Sequence, residues 1–143
     1  LCGIASLVGC FAPESMATKE TRRELARLVY PVDAPLGPDL DIIAERAGPT
    51  LRLSNRTAAV YRDYQLWLNC RYVNTVPLIR IGSDNSITLD RWVNNYGETF
   101  PVGSFLLPDQ ARALVLAELY DPETNLRHRV TVWPDDTEDS GRL

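Results

Sequence analysis

Histidine is nearly missing from this chain: it has one His among 143 residues, along with three cysteines and one methionine. A metal site built on several imidazoles is therefore excluded, and so is a dense disulfide framework. A basic excess is missing as well. Fifteen Lys and Arg stand against nineteen Asp and Glu, a net charge of −4, which argues against a dedicated nucleic-acid binder. The longest apolar run is the first twelve residues, broken by Ser6 and by glycines, and it is too short to span a bilayer. Catalytic signatures are lacking too. No serine sits in a Gly-x-Ser-x-Gly elbow, and no Gly-x-Gly-x-x-Gly or Walker-type loop offers a phosphate cradle. Asp84-Asn85-Ser86 and Asp121-Pro122-Glu123 carry oxygens that calcium could use, but not the spacing of an EF-hand loop; they read as turns. His128 lies between Arg127 and Arg129 on a predicted strand and has no readable catalytic partner. Asp63, Asp90 and Glu98 could supply paired carboxylates, as any β protein could. No catalytic residue, no metal and no cofactor is expected.

What remains is an ordinary globular composition, 45% apolar and 24% charged in 16.1 kDa, enough for one domain with unstructured ends. The N-terminus is its most specific feature. Residues 1–10 read Leu-Cys-Gly-Ile-Ala-Ser-Leu-Val-Gly-Cys, an apolar stretch closing on small residues, as signal peptides do. Leu7-Val8-Gly9-Cys10 resembles the lipobox of bacterial lipoproteins. The resemblance implies cleavage before Cys10 and acylation of its sulfur. Gly9 leaves room at the scissile bond, Leu7 suits an apolar subsite, and only a thiol forms the thioether. The chain starts at Leu1 with no Lys or Arg before Cys10, so residues 1–9 read as the remnant of a signal peptide. Cys2 would leave with it. Cys70 would then be unpaired in an oxidising compartment, which favours a buried, inert thiol; a Cys10–Cys70 disulfide is the alternative.

Residues 10–38 form a second unit: the lipidated cysteine, a short helix and a Pro-rich tether. Glu14 to Tyr30 is rich in helix formers, with a Thr21-x-x-Glu24 capping box ahead of Leu25, Leu28 and Val29. Pro31, Pro35, Gly37 and Pro38 then give an extended connection that could hold a domain off a membrane. From residue 39 the apolar period drops to two. Leu40, Ile42 and Ala44 alternate, as do Leu51 and Leu53 after the Gly48-Pro49 turn. Tyr64, Leu66, Leu68 and Cys70 share one face of a predicted strand, with Asp63, Gln65, Trp67, Asn69 and Arg71 on the other. Val76 to Ile81 precedes a predicted turn at Gly82-Ser83-Asp84-Asn85, followed by Ile87 and Leu89. Arg112–Tyr120 and Leu126–Trp133 flank a five-residue loop, Asp121 to Asn125, as a hairpin; Ala111–Leu119 also has helical propensity. The acidic tail, 135–143, is expected to be disordered.

About seven short strands at such spacings predict an all-β domain over 39–134, an immunoglobulin-like antiparallel β-sandwich preceded by the short helix and linker. Several residues also resemble a recurring bacterial pattern: Leu51-x-Leu53-x-Asn55, Tyr61-x-Asp63-Tyr64-x-Leu66-x-Leu68-Asn69, Tyr72-Val73, Val76, Gly82 and Ile87-x-Leu89. Trp92 to Phe100, with Gly97 inside it, is similar to the segment that follows in such proteins. Immunoglobulin- or fibronectin-III-like domains of this kind occur in envelope proteins and lipoproteins. The resemblance implies a fold and says little of function.

The expected function is that of a lipid-anchored envelope protein rather than an enzyme. It would be exported and held by the lipid on Cys10 to the cell membrane or outer membrane, on the periplasmic or extracellular face. Its sheet faces or edges would meet an envelope protein partner. The alternative is a carbohydrate-binding module, with Trp67, Trp92 or Tyr96 stacking on a glycan beside neighbouring amides and carboxylates. Exposure of those rings discriminates the two; because Trp is highly buried on average, Trp67 is expected under the helix of residues 20–29 and Trp92 in the core at a corner.

Overall fold

A computed structural model of the chain describes residues 19–103, Leu106 and residues 111–133. Cys2, Cys10 and the acidic tail lie outside the described residues. Seven strands are present: β1 (Leu40–Ala47), β2 (Thr50–Asn55), β3 (Tyr61–Leu68), β4 (Tyr72–Ile79), β5 (Gly82–Thr88), β6 (Ala117–Asp121) and β7 (Leu126–Trp133). They form a single sheet in the order β4-β3-β6-β7-β1-β2-β5. Every pairing is antiparallel except that of β1 with β7. The domain is all-β, as the alternation predicts.

The hairpins follow local backbone chemistry. Gly48, at φ 58°, takes the left-handed position between β1 and β2, with Pro49 after it. Asp121 organises the β6–β7 loop: its carboxylate accepts the Glu123 amide and the Thr124 hydroxyl, both at 3.0 Å. Three expectations need correction. β3 ends at Leu68, and Cys70 is exposed in the β3–β4 turn rather than buried on a strand face. Asn69 and Cys70 are both left-handed, at φ 54° and 57°, because the chain reverses directly after Leu68. The β4–β5 turn falls at Arg80–Ile81, ahead of the predicted Gly82 to Asn85. Asn85 is buried in β5, where its carboxamide accepts the Arg80 amide and donates to the Arg80 carbonyl, both at 2.9 Å, closing the turn from outside it. Residues 111–116 precede β6 as irregular chain instead of extending it. The Asn69 side chain holds them, donating to Ala113 O and accepting from the Val115 and Leu116 amides.

β4 and β5 stand at opposite ends of the strand order, yet two residues join them. A flat sheet of this size would set its outer strands about 29 Å apart, and such a link reaches about 10 Å. The sheet therefore rolls almost into a barrel. Inward residues such as Ile42, Leu53, Leu66, Ile79, Trp92 and Phe100 form the core. Arg46 is buried with them because its guanidinium donates to the Gly48, Val102 and Arg112 carbonyls.

The opposite face of β3, β4 and β6 is covered from outside. Residues 19–26 are helical, with Thr21 inside the helix instead of capping it. Leu25 from this helix packs with Trp67, Val73 and Val93, and Leu28, Tyr30 and Tyr120 close around them. The following segment runs along β7: Arg127 N donates to Pro35 O at 3.0 Å and Gly37 N to Arg127 O at 2.7 Å. The expected tether is thus extended but docked.

Candidate functional site

Of the aromatic residues singled out by the sequence, the fold leaves one in solvent. Trp67 is 3% exposed and Trp92 0%, against 74% for Tyr96. Trp67 projects from the outer face of β3, where the N-terminal arm covers it. Tyr30 meets its ring edge-on at 5.5 Å, and its indole N–H donates to Gln65 Oε1. Trp92 follows the 3₁₀ turn Leu89–Arg91, which directs it into the core, where Nε1 donates to Leu66 O at 3.0 Å. A platform of three stacked rings is therefore not assembled. Cys10 lies outside the described residues.

The polar chemistry of the outer face gathers around Glu118 on β6, which is 2% exposed. Arg127 Nη1 donates to its carboxylate at 3.1 Å and to the Tyr30 hydroxyl at 2.8 Å. Tyr30 in turn donates to Glu118, and the Cys70 thiol reaches the same carboxylate at 3.9 Å. Burial first, then hydrogen bonding with Cys70 and Glu118, pushes the Tyr30 phenol far above its ordinary range. The guanidinium also donates to Ala34 O at 2.8 Å. Apart from the Arg127–Glu118 bond, which joins β7 to β6, each of these bonds ties the arm or the β3–β4 turn to the sheet, so the cluster acts as a clasp. Sequence reasoning missed it. The visible sign was one acid inside the apolar run Leu114 to Tyr120. His128 belongs to the same docking: its Nδ1 faces the Pro38 carbonyl at 2.8 Å, a contact that requires the proton on that nitrogen. Among the described residues, no group of three or more His, Cys, Asp or Glu is placed to hold a metal ion.

Tyr96 sits in a different setting. Asn94 builds its turn, accepting the Tyr96 and Glu98 amides on Oδ1 at 3.0 and 2.9 Å, while Gly97 takes φ 79°. Opposite the turn lies the helical segment, and between them is an open groove of about 330 Å³ lined by Arg22, Arg23, Ala26, Arg27, Asn95, Tyr96 and Gly97. Three guanidinium groups, an amide and a phenol make this groove suited to anions. The sequence reading named Tyr96 but not the arginines, which lie some seventy positions away in the chain. No family model, no curated protein and no solved structure matches the chain.

Proposed function

We propose that the chain is a lipid-anchored protein of a bacterial cell envelope, exported and held at a membrane by acylated Cys10, with a structural or protein-interaction role and no catalysis. The observation that carries this reading is Leu7-Val8-Gly9-Cys10 behind an apolar stretch. Two features of the domain support it. The arm is docked on the sheet from residue 25 onward, so a lipid on Cys10 would hold the whole domain close to the bilayer. The strand edges also differ. β4 is partly covered, Val73 and Val93 exchanging backbone bonds at 2.9 and 3.2 Å, while β5 pairs only with β2 among the described strands. An edge of that kind can take a strand from a partner. We read the rolled sheet as an immunoglobulin-like sandwich in its packing, a reading supported by the inward residues of β1, β2, β3, β4 and β6 sharing one core. The glycan-stacking alternative is left with Tyr96 alone.

The test is expression behind a complete signal peptide with a labelled fatty acid. The wild-type chain should carry label and fractionate with membranes, and Cys10→Ala should lose both. A Cys10→Ala chain that stays on the membrane, with no label on the wild type, would overturn the reading.

A further inference from the structure

We propose that the face carrying Arg22, Arg23, Arg27 and Tyr96 is the surface this domain lays against a membrane, with anionic phospholipid headgroups as its ligand. The proposal deepens the lipid-anchor reading, since it takes its geometry from an anchor at Cys10. Eight residues separate Cys10 from Lys19, so an acylated sulfur lies within about 30 Å of Lys19. The helix cannot swing freely, because Leu25 is buried against Trp67 and Val93. At helical spacing, Lys19, Arg23 and Arg27 point away from Leu25, and Arg22, three residues before Leu25, stands at the edge of that face. The three arginines thus border one groove, with Glu20 and Glu24 next to Arg23 and Arg27.

Charge and exposure agree with this. The chain as a whole is acidic, at −4, so an anionic bilayer would repel most orientations and favour the one with three clustered guanidiniums facing it. All three arginines are exposed, and among the described residues none has a carboxylate partner within ion-pair distance. A site for one soluble phosphate ester would fix its guanidiniums in bidentate geometry. Loosely placed arginines suit a fluid layer of headgroups. Tyr96, ring in solvent beside them, is the residue type that settles at the membrane–water interface.

The experiment uses the full chain with Cys10→Ser, so that no acyl group can contribute, and vesicles of phosphatidylcholine with or without one third phosphatidylglycerol. We expect co-sedimentation with the anionic vesicles alone, released by high salt. Replacing all three arginines (R22Q, R23Q, R27Q) should lower the partition roughly a hundred-fold, which corresponds to about 1 kcal/mol for each charge. Replacing three exposed arginines elsewhere (R52Q, R62Q, R91Q) changes net charge equally and should cost far less. Equal losses in the two triple variants, no preference for phosphatidylglycerol, or abolition by millimolar glycerol phosphate would each overturn the proposal. Because the Cys10→Ser chain cannot be acylated, these outcomes are independent of the labelling test. A failed lipobox and a failed headgroup surface are thereby told apart.

Discussion

Glu118 on β6 and Arg127 on β7 form an ion pair of 3.1 Å in which the side chains are 2% and 15% exposed. A charge so deeply buried is tolerable only when paired and hydrogen-bonded, and here Tyr30 supplies the further bond. The pair lies under the N-terminal arm, and Arg127 reaches through it to the Ala34 carbonyl. The clasp therefore couples the sheet to the chain that leads toward Cys10.

Removing one partner leaves the other buried and unpaired, which costs about 3–5 kcal/mol. Arg127→Ala should lower the urea stability by that order and release the arm. Trp67 would then become solvated, shifting tryptophan emission to the red, and the segment 28–38 would become open to proteases. A loss below about 1 kcal/mol with no change in emission would show that apolar packing alone holds the arm.

Alkaline pH should act on the same clasp. Burial, then hydrogen bonding, raises the Tyr30 pKa above the ordinary value of about 10. Above that pH the unfolded chain loses the Tyr30 proton while the folded chain keeps it. The folded state then binds more protons, so its stability falls as pH rises; below pH 10 the contribution is intact. Tyr64, raised by burial and then by the Asp121 charge, adds a slope of the same sign. Denaturant midpoints measured between about pH 8 and 11 should fall less steeply in Tyr30→Phe than in the wild type. Superimposable slopes would remove Tyr30 from the explanation.

Sequence was most informative where one residue type answers a local need. Gly48-Pro49 and the Asp121 to Asn125 loop mark their turns because turn geometry selects those residues, and Leu66 and Leu68 alternate because β3 has one face in the core. It misled where a distant group decides. Cys70 continues the period of Leu66 and Leu68, yet the chain has already turned, held by Asn69 reaching residues 113–116. Asn85 looks like part of a turn in sequence and acts as the buried brace of the preceding one. The average burial of Trp already favours cover of Trp67 by the N-terminal helix, as found, whereas Glu118 gives no sign that its partners are Tyr30 and Arg127.

Asn69 should be sensitive in two separable ways. It holds a left-handed conformation at φ 54°, and its side chain makes three bonds to the segment before β6. Asn69→Ala loses the bonds and keeps an unfavourable backbone, for roughly 2–4 kcal/mol. Asn69→Gly loses the same bonds but relaxes the backbone, and should recover about 1 kcal/mol of that. Equal destabilisation in urea melts would mean that backbone conformation plays no part.

The docking of residues 35–38 on β7 rests on a close approach that a double substitution can test. A Cβ built on Gly37 would lie 2.6 Å from His128 Cε1 and 2.9 Å from Nδ1. Those distances are too short for any carbon, so in Gly37→Ala either the imidazole or the arm must move. The ring is held by its contact with the Pro38 carbonyl at 2.8 Å, and the backbone beside it by the Gly37 amide bond to Arg127 O at 2.7 Å. Moving either sacrifices a hydrogen bond, so Gly37→Ala should cost about 1–3 kcal/mol. His128→Ala alone loses the ring's packing and its bond, a smaller effect of about 1 kcal/mol. In the double variant the clash is gone, so the two costs should fall well short of adding. Strict additivity in urea melts would mean that His128 does not stand against Gly37, and the register of the arm on β7 would have to be redrawn.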